Sequence, residues 1–458
     1  MKSAFKCWLY IVLFLSFTPV SFADYKTDIG YADLQALLGA NMPTGAGVKV
    51  MQVEAGGTVY APNTTSTQFA GKTFRFPCAA SISPFGHATW VGSLFYGAGS
   101  MAPGIRTITS YESSDWMKSL FNPLVSVPPN GSRIVNQSWV GNGNNASQTG
   151  IILRLVDRQV QRKELIQVVA MGNGPGATAL LNSAYNVIAV GKCSGNLDYG
   201  SKPVDRIYRA GRTRPDVVAP ESTTSSAAPQ VAATAALLVE TGHKGALRLS
   251  RSSAMVTGVG TVYNAERAAT IKAALMAGAD RVTHNSPGKG DIANYRSAGH
   301  QANNGLDERF GAGQVNVLHS YQIIAAGEQN SLEDGGVNAG LIGLTGFDYD
   351  NAFGGFLSSN KTATYKFHAT TDAKLSASLV WNMTVTNDGR LRTGLPNLNL
   401  ELFDVTSQTI SAFSLSPHDN TENIWVDLAA GHSYELLVKS AEANDFSWDY
   451  SLAWHISH

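Results

Sequence analysis

A hydroxyl gains chemical interest where the backbone around it can donate too, and the stretch Ser222 to Glu240 offers such a place. Its hydroxyl residues give way to small apolar ones, with Ala228, Val231, Ala235 and Leu238 at helical spacing, and the excess of Ala implies neighbours close on all sides. Pro229 has no N–H and is tolerated only near a first turn, so Thr224 and Ser225 stand at the N-terminus of this helix. There the Ser225 amide has no intrahelical acceptor, lies at the positive end of the helix dipole, and is able to donate to an oxyanion. Taken by itself, the run is also an ordinary N-cap on an Ala-rich helix that stops at Gly242. Two further residues have types that suit acyl chemistry. Glu54 closes the apolar run Val48–Val53, and the carboxyl ends of parallel strands are where such sheets place their ligands. His87 follows the turn formers 83–86 and enters a helix with one face open, as a general base requires.

The elements that must hold these residues change character along the chain. Up to about residue 330, apolar strand-like runs alternate with helical ones, the pattern of an α/β fold with a mostly parallel sheet. From about 338 the pattern is alternation: Leu375, Ala377, Leu379 and Trp381 share one face, as do Leu398, Leu400 and Leu402, then Tyr434, Leu436 and Val438, then Trp448, Tyr450, Leu452 and Trp454. With turns at Asn387-Asp-Gly389 and Ala430-Gly431, this is an all-β antiparallel sandwich. The expected division is a signal peptide at 1–23, a short segment at 24–44, an α/β domain at 45–328, a linker at 329–345 and the sandwich at 346–458.

Placed in order, the boxes around these positions resemble those of the subtilisin-like serine proteases, the subtilases. Val48-Lys-Val-Met-Gln-Val-Glu54 is similar to Val-Lys-Val-Ala-Val-Ile-Asp, with Glu54 where the family has Asp. His87-Ala-Thr-Trp-Val-Gly-Ser93 is similar to His-Gly-Thr-His-Val-Ala-Gly, keeping His87, Thr89 and Val91 and departing at Ala88, Trp90 and Gly92, and Met101-Ala-Pro-Gly-Ile105 follows at the family's distance. Ile134-Val-Asn-Gln-Ser-Trp-Val-Gly141 resembles Val-Ile-Asn-Met-Ser-Leu-Gly, and Val168-Val-Ala-Met-Gly-Asn-Gly174 resembles the box whose Asn supports the oxyanion. Arg214-Pro-Asp-Val-Val-Ala-Pro220 and Thr223-Thr-Ser-Ser-Ala-Ala-Pro229 resemble the approach to the nucleophile and the nucleophile box itself. The resemblance covers roughly 45 to 325 as a series, each box being weak singly.

It implies a three-layer αβα domain and a triad of Glu54, His87 and Ser225, with Asn173 and the Ser225 amide at the oxyanion. Ser138, Trp139, Val140 and Gly141 would form the edge beside which an extended peptide lies. Glu54 for Asp, Thr223 for the Gly of a tight turn, and only about thirty residues between Asp24 and Glu54 for a folding pro-domain keep a second reading open: a subtilase-fold protein, weak or inactive, that binds peptides or a surface partner.

Composition bounds the rest. Only 15% of residues are charged and Gly numbers 45, so the surface relies on uncharged polar groups. Lys2, Lys6, the apolar run 8–17 and Ser21-Phe-Ala23 form a secretory signal whose run is short for a membrane span, a retained anchor helix being the other reading, and point to a secreted or periplasmic chain without a membrane span once it is removed. Lys and Arg number 34, as do Asp and Glu; without Lys2 and Lys6 the balance is 32 to 34, a charge of −2, which argues against a nucleic-acid partner. The expected partner is a protein or peptide substrate, with the C-terminal sandwich either a stabilising module or a binder of substrate or surface. Cys78 and Cys193 remain after the signal, and their pairing is open. No cofactor is expected; calcium, common in the resembled family, has no dense Asp-x-Asp run here from which to name ligands.

Overall fold

The computed structural model describes residues 24–78, 86–121, 131–176, 178–354, 361–442 and 446–458. The expected signal at 1–23 and the turn at 83–85 lie outside them. Seven strands, β1 (Val50–Glu54), β2 (Thr73–Arg75), β3 (Thr107–Glu112), β4 (Ile134–Gln137), β5 (Ile166–Ala170), β6 (Ile188–Lys192) and β7 (Val217–Ala219), form one sheet in the order β2-β3-β1-β4-β5-β6-β7. Each pairing is parallel, so every carboxyl end faces the same way. β1, β4, β5, β6 and β7 are buried along their whole lengths, which is why they read as continuous apolar runs rather than alternations.

Helices α1 (Tyr25–Asp28), α2 (Tyr31–Leu38), α3 (Gly86–Phe95), α4 (Ser113–Phe121), α5 (Ala146–Lys163), α6 (Thr224–Lys244), α7 (Ala246–Leu249), α8 (Ala268–Ala277) and α9 (Val317–Ala326) complete the α/β part, with the small hairpin of β8 (Ser253–Val256) and β9 (Gly260–Tyr263). α6 packs on β4–β7 and on α3 and α9; its residues Ala227, Ala228, Ala232, Ala235 and Ala236 have no exposed surface, so small side chains set these approaches. The expected stop at Gly242 does not occur. The helix continues to Lys244, and Gly242 lies where a Cβ would meet Ala265 Cβ and Glu266 Cγ at 3.1 Å, so this glycine serves a close approach rather than a helix end.

The C-terminal region is a sandwich of two antiparallel sheets. One orders β10 (Thr345–Gly354), β19 (Ser447–Ser457), β12 (Ala373–Val380) and β17 (Thr421–Leu428); the other orders β11 (Thr362–Ala369), β18 (His432–Ser440), β15 (Leu398–Asp404) and β16 (Thr409–Ser414). The short hairpin β13 (Thr384–Val385) and β14 (Thr393–Gly394) carries the Asn387-Asp-Gly389 turn, with Gly389 at φ 72°, and Gly431 turns between β17 and β18 at φ 79°. Leu375, Ala377, Leu379, Trp381, Leu398, Leu400, Leu402, Leu436, Val438, Tyr450, Leu452 and Trp454 fill the space between the sheets as the alternation predicts.

The sandwich shares its outer face with the α/β domain. All ten residues of α8 are buried, and α8 lies against β12 and β19. Ser376 donates to the Ala277 carbonyl at 2.7 Å, and Asn186 exchanges two hydrogen bonds with the Met383 backbone at 2.8 and 2.9 Å. Phe347, Val380 and Ala453 belong to the same apolar cluster as the core of α6. The 329–345 segment runs along the sandwich, with Gln329 bonded to Phe347 and Leu332 to Thr364. Cys78 and Cys193 are unpaired thiols; the buried Cys193 sulfur donates to Gln314 at 2.9 Å. Among the described residues no helix is long and apolar enough to cross a membrane.

Candidate active site

Glu54 is the last residue of β1, in the middle of the sheet, and its side chain is 1% exposed. His87 is the second residue of α3 and its side chain keeps 35% of its surface open. Between them Glu54 Oε2 meets His87 Nδ1 at 2.8 Å, so the extra methylene relative to Asp is accommodated and the imidazole Nε2 is left facing away from the carboxylate. The neighbouring strand end offers a second carboxylate, Glu112, level with Glu54 in the register. Glu112 is committed elsewhere: it accepts the Ser114 and Asp115 amides at 2.7 and 3.0 Å and the Ser113 hydroxyl at 3.0 Å, holding the start of α4.

Hydrogen bonding by Glu54 raises the His87 pKa above its ordinary value, against the opposing effect of burial. Burial raises the Glu54 carboxyl too, while the bonds from His87 and Gln52 pull it back. The contact therefore favours the proton on His87, while burial alone works against the charge on Glu54. Gln52 lies two residues before Glu54 on the same face of β1. Its Nε2 donates to Glu54 Oε1 and to the Ala88 carbonyl, each at 2.8 Å, and its Oε1 accepts from the buried Tyr96 hydroxyl.

Ser225 is the second residue of α6, in the turn whose amides lack helical acceptors. Thr223, with φ −132° and ψ 150°, is in extended backbone that suits a β-branched residue, and its hydroxyl accepts the Ser226 amide at 3.3 Å. The Gly of the resembled box is thus replaced by a side-chain cap without strain. α3 packs on α6, and the Trp90 indole, one turn beyond His87, donates to the Ser226 hydroxyl at 3.0 Å, tying the histidine's helix to the residue after Ser225. The Ser225 hydroxyl is held only weakly, at 3.5 Å from the Ser138 carbonyl, while Ser138 donates back to the Ser225 carbonyl at 3.1 Å.

Asn173 follows β5 and is exposed. Its Oδ1 accepts the Thr224 amide at 2.9 Å and the Thr224 hydroxyl at 3.3 Å, which fixes the amide plane beside Ser225 and commits the oxygen, so that the Nδ2 donors are the end available to a ligand.

Residues 97–313 match the family model described as the Subtilase family. That region is similar to the subtilases. The match contains Ser138, Asn173 and Ser225 and begins after His87; Glu54 bonds His87, and the helix of His87 is tied to the matched region through Trp90 and Ser226. The chain matches no curated protein. Among solved structures it is similar to the PatG macrocyclase domain (15% identity over 65% of this chain and 96% of that one, TM-score 0.44). It is also similar to the epidermin leader peptide processing serine protease EpiP of Staphylococcus aureus (13% identity, 65% and 80%, TM-score 0.41). A smaller part is similar to the pre-peptidase C-terminal domain of a Bacillus anthracis collagenase (16% identity, 25% and 91%, TM-score 0.19).

Along the substrate edge expected from this similarity, the structure separates main chain from side chain. Trp139 is buried and its indole donates to Gln137 at 2.7 Å, so the bulky replacement for Leu fills the core beneath the edge rather than the cleft above it. Val140 is exposed, whereas the Gly141 N–H and carbonyl are both taken by Leu180, at 3.2 and 3.0 Å. Gln52, Tyr96 and Ser226 are the site residues that the sequence did not single out. The signal for Gln52 was available: a polar residue two positions before Glu54 inside an apolar strand. Among the described residues no group of three His, Cys, Asp or Glu side chains is placed to hold a metal ion.

Proposed function

We propose that this chain is an exported serine endopeptidase in which Ser225, His87 and Glu54 form the triad. The observation that carries the proposal is the 2.8 Å hydrogen bond between Glu54 and His87, on a helix tied to the turn that presents Ser225. In this reading Ser225 Oγ attacks the carbonyl of a peptide lying along Ser138–Val140, and His87 Nε2 takes the hydroxyl proton. The tetrahedral oxyanion is received by the Ser225 amide and Asn173 Nδ2. His87 then protonates the departing amine, and water, activated by the same imidazole, releases the acyl group. Glu54 keeps the proton on Nδ1 and favours the imidazolium in between. The steps use only the chain's own groups. Export rests on the 1–23 pattern of basic residues, apolar run and small residues.

The binding-only alternative drew on Glu54 for Asp, on Thr223 for Gly and on the short stretch before Glu54; the contact of Glu54 with His87 and the extended backbone of Thr223 favour catalysis. Internally quenched peptides of mixed sequence, incubated with the purified chain and with Ser225→Ala, test the proposal. Turnover should fall at least ~10³-fold in the variant. Peptide binding without cleavage by the parent chain would replace the proposal with the binding reading.

A further inference from the structure

A Glu in place of Asp carries one more rotatable bond, so the contact with His87 needs something to hold the carboxylate in one rotamer. Gln52 has the position and the bonding for that task. It has no exposed surface and all of its side-chain groups are engaged, Nε2 by Glu54 and Ala88, Oε1 by Tyr96. Ala88 follows His87 in the first turn of α3, and Tyr96 follows the last residue of that helix. One amide therefore ties the acid on β1 to both ends of the helix that bears the base. Tyr96 is fully buried and burial holds its hydroxyl neutral, so it stays a donor, which orients the Gln52 amide with its nitrogen toward Glu54. Gly92 leaves the room: a Cβ there would lie 2.5 Å from the Tyr96 hydroxyl oxygen and 3.1 Å from Gln52 Oε1. In the resembled boxes Val, Asp and Ala stand where this chain has Gln52, Glu54 and Gly92, so three departures scattered in sequence meet in one set of contacts.

We infer that Gln52, braced by Tyr96 and given space by Gly92, is a positioning residue that lets a glutamate serve as the acid of the triad. The inference rests on the proposed function for its kinetic readout but not for its spectroscopic one. The test is the pair Gln52→Leu/Tyr96→Phe, which removes the clamp and the hydroxyl it would orphan, made in the parent chain and in Glu54→Gln. In the parent, kcat should fall ~10–100-fold with KM within ~2-fold, as expected for a misplaced catalytic group. In Glu54→Gln the same pair should cost less than ~3-fold, because the residue it positions no longer acts. Equal losses in both backgrounds would reduce Gln52 to a packing residue and overturn the inference. Gly92→Ala should reproduce the kcat loss, and full activity in that variant would count against the clamp.

NMR titration of the His87 imidazole gives the second arm. Glu54 is the charged group acting on that ring, and the neutral Tyr96 is the other titratable group of the clamp. Removing the clamp should lower the His87 pKa toward the ordinary value of 6.5. An unmoved pKa would overturn the inference. This titration is readable even if the parent chain cleaves nothing, so failure of the inference and failure of the proposed function give different results.

Discussion

At the scale of the residue, a carboxylate that is expensive to bury is nevertheless held beside an imidazole. Glu54→Gln removes the charge while keeping a hydrogen bond to His87, but as an amide donor it selects the tautomer with the proton on Nε2, which cannot accept from Ser225. Turnover should fall ~10²–10⁴-fold with thermal stability at neutral pH within ~1 kcal/mol of the parent, read by peptide hydrolysis and denaturant melts. The acid limb of kcat/KM reports His87 losing its proton, so its midpoint should lie above 6.5 in the parent and move down in Glu54→Gln. Both groups bind protons more tightly folded than unfolded. Their contribution to stability is therefore fullest below their unfolded pKa values and is lost as pH rises through the folded ones, a slope that Glu54→Gln should flatten. Ser225, His87 and Glu54 could be singled out as candidates because each stands in a string of residues with a recognisable spacing. Gln52 stood out as a polar residue inside an apolar strand, but its purpose was not readable, since that depends on partners 36 and 44 positions away.

At the scale of the element, the start of α6 decides where Ser225 points. Thr223→Ala deletes the cap on the Ser226 amide and should cost about 1 kcal/mol by denaturant unfolding, with kcat falling several-fold as the first turn frays. An unchanged melt would mean that packing of the Ala face alone sets this turn. Strand and helix types were readable from apolar runs and helical spacing, and β1 and α6 fall where the run Val48–Val53 and the spacing from Ala228 to Leu238 predicted them. Glycine was the element-scale signal that misled. Gly242 has the look of a helix stop, but it serves the approach of the segment around Ala265, a long-range contact that local sequence does not encode.

At the scale of the whole molecule, the sandwich is a layer of the same structure. α8 lies against α6 and α9 and against the strands β12 and β19, and its Lys272 is buried against Asp216 at 2.9 Å and the Val187 carbonyl at 2.8 Å. A chain ended after Ala339 would expose the apolar face of α8 and leave Asn186 without its bonds to Met383. Such a truncation should give no cooperative melt and no soluble activity, and a truncated chain with parental turnover would show the two parts to be independent. The alternation of Leu, Tyr and Trp made the sandwich legible, because one buried face per strand writes itself into the sequence. Its docking was not, because the outward residues Ser376, Ser451 and Ala453 are small or polar and read as solvent-facing. The most direct measurement of the central claim is covalent: a fluorophosphonate probe applied to the folded chain, followed by peptide mapping. One adduct per chain on Ser225, absent in Ser225→Ala and slowed at least ~10²-fold in His87→Ala, is the expected result. A folded chain that takes no probe, or takes it at another residue, contradicts the account.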